Sequence, residues 1–254
     1  MADDMNMSMY LIWGCMEKNS MKERESNFEV LRILLTLMVL TVHYNSNGVT
    51  GGAFAFAPDG IKHYFLYLTE SLACIAVNGF VLITGYFSYK KKQMSYKKAV
   101  MLILWVVFYN IVFYLFSSCM GWETFQFRTL IGKCIPCNWY VIIYCALICI
   151  APYINILLEQ LSLKETKRLL LVLVLLFSVW NTVWKAITGI VAMDMQGIST
   201  VGISGDQAGY TIVNFVMLYL IGAAIHKWNL FAWKKEYDIL LYLVSAGCVF
   251  VGRV

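Results

Sequence analysis

Arg32 and His43 stand out by type and spacing, because both sit inside the apolar stretch SNFEVLRILLTLMVLTVHY at 26–44. A histidine can exchange protons near neutral pH, so the first chemistry on offer is proton transfer. Eleven residues at about 100° each bring the two side chains onto one helix face, roughly 16 Å apart along the axis. An ionisable group facing lipid costs on the order of 3 kcal/mol or more, so this face is expected to look into a protein cavity or water. The plainer alternative has Arg32 snorkelling to headgroups and His43 wet at the far interface. Ser26 and Glu29 have the spacing of a capping box, which predicts a helix start near Asn27.

Other candidate residues lie in later apolar runs. Glu70 and Asn78 read as partners in helix–helix hydrogen bonds, with Glu70 alternatively pairing with His43 or Arg32. Trp180, Asn181, Trp184 and Lys185 are three and four residues apart and form one patch, either interfacial anchors or the lining of a sugar-binding groove. Lys90, Lys91, Lys92, Lys97 and Lys98 form a basic cluster whose simplest role is orientation and contact with anionic lipid. Cys134 and Cys137 make a C-x-x-C around Pro136, a redox pair or half a zinc site. No second pair follows, so no metal is expected. Cys74, Cys145, Cys149 and Cys248 sit in apolar runs as small hydrophobes.

These residues need helices to hold them. The 254 residues are 60% hydrophobic and only 14% charged, with a mean hydropathy of +0.68, far too apolar for a soluble domain. The pattern predicts an all-α, multi-span transmembrane helix bundle in contact with the lipid bilayer. Seven runs of about 20 residues, near 28–46, 62–87, 99–119, 138–158, 168–190, 211–228 and 238–254, are each long enough to cross it. The last is still apolar at Phe250 and Val251, so that helix is expected to be incomplete. Residues 1–25 hold an apolar patch too short to span and read as a disordered extension, leaving 26–254 as the membrane domain.

The net charge of +5 is gathered between runs, which argues for membrane orientation and against a nucleic-acid surface. Lysines and arginines collect on alternate connections: Lys18, Lys22 and Arg24, then the 90–98 cluster, then Lys164, Lys167 and Arg168, then Lys227, Lys234 and Lys235. That asymmetry predicts a cytoplasmic N-terminus. The 45–60 connection is glycine-rich and reads as flexible surface. The fourth run is expected to end at Pro152-Tyr153-Ile154-Asn155, with Trp139 and Tyr140 anchoring its start at the interface. No G-x-S-x-G elbow, H-E-x-x-H or phosphate loop is present.

Arg32 and His43 within NFEVLRILLTLMVLTVHY, VNGFVLITGYF at 77–87 and NWYVIIYCALICIAPYIN at 138–155 together resemble the acyltransferase-3 family, bacterial membrane enzymes that acylate surface polysaccharides. The resemblance covers about 26–226. It implies a multi-pass protein of the bacterial plasma membrane. Its co-substrate would be an acyl-CoA, most often acetyl-CoA, and its acceptor a saccharide or similar hydroxyl. His43 would be the base or a transient acyl carrier. Arg32 would bind the donor's phosphates or counter charge at the thioester oxygen, with Glu70 beside them. Lys90, Lys91 and Lys92 would meet the donor's phosphates where the family has an arginine pair; lysine lacks the bidentate fork. Trp180, Asn181 and Lys185 would line the acceptor groove. The family usually has about ten spans, three more than the runs found here. The competing reading is a carrier domain for a small polar solute such as an amino acid, because intramembrane Arg, His and Glu also mark proton relays.

Overall fold

The computed structural model describes residues 26–46, 52–57, 59–93, 96–180, 182–184, 187, 211–230 and 235–253, and all regular structure among them is helical. In chain order the helices are α1 (Ser26–Ser46), α2 (Gly52–Phe56), α3 (Ile61–Ala73), α4 (Ala76–Ser88), α5 (Tyr96–Cys119), α6 (Phe127–Lys133), α7 (Trp139–Gln160), α8 (Leu163–Val174), α9 (Ile212–Trp228) and α10 (Lys235–Val251). A five-residue π-helical stretch, Leu175–Val179, continues α8. The predicted extension at 1–25 and the connection at 193–210 lie outside the described residues.

Among the described residues, five stretches are long and apolar enough to cross a bilayer: Ser26–Ser46, Ile61–Ser88, Tyr96–Cys119, Trp139–Gln160 and Leu163–Trp184. The 17-residue α9 and α10 each measure about 26 Å at 1.5 Å per residue, slightly under the hydrocarbon thickness. The all-α multi-span architecture expected from the apolar runs is therefore present. The chain divides into two compact units, Met1–Ala76 with Tyr242–Val254, and Val77–Leu241.

In the first unit, the C-terminal end of α1 is fastened to α3 by polar side chains. Buried Asn45 donates to the Leu66 carbonyl at 3.3 Å and to Thr69 Oγ1 at 3.0 Å. In the connection that follows, Gly52–Phe56 form α2. Gly52 has φ +71°, and a Cβ there would lie 2.4 Å from the Asn45 carbonyl oxygen, so only glycine lets the backbone close onto the helix end. Phe54 from α2 packs on His63 and Tyr67, with ring centroids 5.4 and 5.1 Å away. From the far end of the chain, Tyr242 donates to the Leu72 carbonyl at 2.7 Å.

In the second unit α7 is the central helix. Its Leu147, Ala151, Ile154 and Leu158 pack with Val81 of α4 and with Phe215, Tyr219, Leu220 and Ala223 of α9. In lipid such contacts are driven by close packing rather than by escape from water, which favours small residues where helices cross. A Cβ on Gly85 would lie 2.2 Å from the Tyr219 carbonyl oxygen, and one on Gly222 would lie 2.1 Å from that of Leu82. The backbones of α4 and α9 therefore touch. By contrast α5 leaves Trp105, Phe108, Val112 and Phe113 exposed, the arrangement of a lipid-facing surface.

Several boundaries differ from expectation. The run at 62–87 is interrupted by a turn at 74–75. Pro152 does not end the fourth run; it is buried inside α7, which continues to Gln160. The stop is set instead by Lys227, whose ammonium donates to the carbonyls of Leu158 at 2.6 Å, Leu161 at 3.2 Å and Glu159 at 3.3 Å, satisfying groups that have no helical partner. The next helix begins at Leu163 rather than near 168, because Ser162 and Glu165 form a capping box. At α1, the Glu29 carboxylate meets the Arg32 guanidinium at 2.6 Å.

Candidate functional site

His43 is exposed near the C-terminal end of α1, and its Nδ1 lies 2.9 Å from the Val39 carbonyl oxygen. A carbonyl only accepts, so this contact places hydrogen on Nδ1. In the neutral ring Nε2 then carries the lone pair, and the backbone bond fixes the ring that presents it. The ring is thus held by its own helix one turn back.

Arg32, near the other end of α1, is partly exposed and pairs with Glu29. Glu70 is buried on α3, where Oε1 accepts from Ser46 Oγ at 3.1 Å and from Arg253 Nη1 at 2.9 Å. Its cationic partner is therefore Arg253, not the His43 or Arg32 suggested by the apolar pattern. The carboxylate joins the end of α1 to the end of the chain. Asn78 also departs from expectation: its Oδ1 is buried with no hydrogen-bond partner among the described residues, so it makes no helix–helix bond through that atom.

The lysine run does not act as one patch. Lys91 and Lys98 line a cavity of about 70 Å³ together with Ser88, Gln93, Tyr144 and Tyr219. Lys90, Lys92 and Lys227 line another of about 290 Å³ with Tyr89 and Glu159. Lys92 pairs with Glu159 at 2.8 Å, and Lys90 lies over the Tyr89 ring at 5.5 Å. Asn155, buried on α7, lines both cavities. Its Nδ2 donates to the carbonyls of Ser88 at 2.8 Å and Lys91 at 2.7 Å, and its Oδ1 accepts from the Tyr219 hydroxyl at 2.9 Å. A further hydroxyl pair follows one turn along α4. Thr84 donates to the Phe80 carbonyl at 2.8 Å, so its contact with Tyr144 at 3.2 Å takes the tyrosine as donor.

Trp180 stacks on Trp184 with centroids 5.7 Å apart, while Asn181 and Lys185 lie outside the described residues. Tyr140 stacks on Tyr144 and meets Phe215 edge-on, which makes it part of the packing of α7 on α9. His226 is flanked by the rings of Tyr86 and Tyr89 at 4.4 and 4.7 Å. Cys134 and Cys137 are exposed free thiols. The residue pattern gives no site role to Asn155 or Tyr219, and it holds Lys98 only as a member of the basic cluster. An amide inside an apolar run was the available signal for Asn155, and it had been absorbed into a supposed helix end.

Helices of spanning length define a multi-pass membrane protein. The chain belongs to the acyltransferase-3 family, whose acyltransferase domain matches residues 25–252. It is accordingly a membrane acyltransferase. No curated protein and no solved structure matches it.

Proposed function

We propose that the protein is an O-acyltransferase of the bacterial plasma membrane. It takes an acyl group, most often acetyl, from acyl-CoA on the cytoplasmic side and passes it to a hydroxyl of a cell-envelope polysaccharide or similar acceptor. The observation that carries this reading is the Nδ1 contact of His43 with the Val39 carbonyl in a chain of this family. Nε2 takes the proton of the acceptor hydroxyl as its oxygen attacks the thioester carbon. The carbon–sulfur bond breaks, and the departing thiolate regains a proton from the imidazolium. Arg32 exchanges Glu29 for a donor phosphate or for the charge developing on the thioester oxygen. Glu70 serves by holding the end of α1, and Lys90, Lys91 and Lys92 attract the donor's phosphates from two cavities. Trp180, with Asn181 and Lys185, lines the acceptor groove.

The basic residues on alternate connections support a cytoplasmic N-terminus. The test is to supply membranes containing the protein with acetyl-labelled CoA and to follow label into envelope polysaccharide, alongside direct CoA binding by the purified protein. Transfer with CoA binding supports the reading. Absence of CoA binding, with uptake of a small polar solute by vesicles containing the protein, would replace it with the carrier.

A further inference from the structure

The contacts of Asn155 contain more than packing. The Lys91 amide donates to the Ser88 carbonyl at 3.0 Å, closing a turn, and the Asn155 amide holds that turn through the carbonyls of both residues. Because both are acceptors, the Asn155 nitrogen must face them, and the Tyr219 hydroxyl fills the remaining oxygen. An aspartate of the same size could not replace it, since a carboxylate would confront two carbonyl oxygens with no proton to give. Beyond the turn, alternate lysines go to opposite sides: Lys91 joins Lys98 at one cavity, while Lys90 and Lys92 join Lys227 at the other. Tyr219 is held in place because Gly85 lets α4 touch its backbone.

We propose that Asn155 is a positioning residue of the donor site. It straps the segment 88–92 to α7 and divides the lysines between two anion-attracting cavities. The recognised chemistry is a ligand with phosphate groups, a free acyl-CoA or a phospholipid headgroup. The strap itself does not depend on which one binds; the assignment to the donor rests on the function proposed above.

Three variants of the intact protein in detergent or nanodiscs test this: Asn155→Asp, Tyr219→Phe and Lys91→Gln with Lys98→Gln. Amide exchange at Lys91 reports the strap directly. It should quicken at least about tenfold in Asn155→Asp, the equivalent of losing one or two hydrogen bonds, and less in Tyr219→Phe, which keeps both carbonyl contacts. The KM for acetyl-CoA should rise by a similar factor in Asn155→Asp at nearly unchanged kcat, a split that loss of folded protein would not produce. Unchanged exchange and unchanged KM in a normally inserted Asn155→Asp protein would overturn the proposal. So would a fall in kcat at constant KM.

If the double lysine variant leaves the KM for acetyl-CoA unchanged, the donor assignment is wrong and the strap is judged by exchange alone. Nanodiscs with and without anionic lipid separate the two phosphate sources. Loss of the KM effect in neutral lipid assigns the cavities to headgroups and overturns their role as a donor site.

Discussion

Arg253 and Glu70 are far apart in the sequence and meet at 2.9 Å, on the same carboxylate oxygen that accepts from Ser46 of α1. Replacing Glu70 by glutamine should therefore act on folding. A loss of about 1–3 kcal/mol is expected for a charge-assisted contact in a buried setting. Thermal unfolding of Glu70→Gln, Arg253→Met and the pair should show the double variant less destabilised than the sum of the singles. If Glu70→Gln abolished transfer without moving the unfolding midpoint, the carboxylate would belong to the chemistry instead.

His43 carries the opposite expectation. Its contacts are local to α1 and its side chain is exposed, so His43→Ala should insert and unfold almost as the native protein does. Transfer of labelled acetyl should fall by about 10² or more, the usual contribution of general-base assistance. A variant that inserts normally and transfers at near native rate would leave the histidine without a catalytic role. Arg32→Lys should lower transfer as well, since lysine keeps the charge and loses the planar fork.

Gly222→Ala should be among the most damaging small changes. Its new methyl would sit 2.1 Å from a backbone oxygen, which cannot swing aside as a side chain can. A loss of about 2 kcal/mol or more is expected from overpacking. Gly247→Ala is the control: a Cβ there has nothing within 4 Å and lies within α10. It should be neutral or stabilising by about 0.5–1 kcal/mol through helix propensity. Unfolding midpoints in detergent that rank the two the other way round would contradict the close crossing of α4 and α9.

The thiols Cys134 and Cys137 test the proposed orientation. Both are exposed in the connection between α6 and α7, which the charge pattern assigns to the outside. An impermeant maleimide should label them in intact cells and should miss a cysteine placed at Gln93. The reverse pattern would invert the topology. Changing both to alanine should leave transfer within about twofold, since general-base chemistry at an imidazole uses no thiol.

Placement of helices was legible because apolar length in a membrane protein is a local property of the chain. So was the shared face of Arg32 and His43, which needs only the helical period. The partners were not legible. Glu70 could be seen as a carboxylate needing a cation, yet its partner lies past α10, where no spacing rule reaches. The run Lys90-Lys91-Lys92 looked like one patch because nearness in sequence hides the sidedness that Asn155 imposes. Pro152 misled for a physical reason: it is a stop signal in water, but inside a packed bundle its neighbours can accommodate the missing amide, and Lys227 sets the real end.

The backbone crossing at Gly85 and Gly222 also imposes an order on biosynthesis. The two glycines are separated by 222 − 85 = 137 positions, so α4 is inserted well before α9 has been made. At about 5–20 residues per second the interval is roughly 7–27 s. During it the seat for α9 is open, and the Asn155 oxygen, once α7 is made, has no tyrosine to accept from until Tyr219 follows. The face of α4 around Gly85 is thus a vacancy that the nascent chain carries through the membrane, open to lipids or to insertion chaperones until its own later helix arrives.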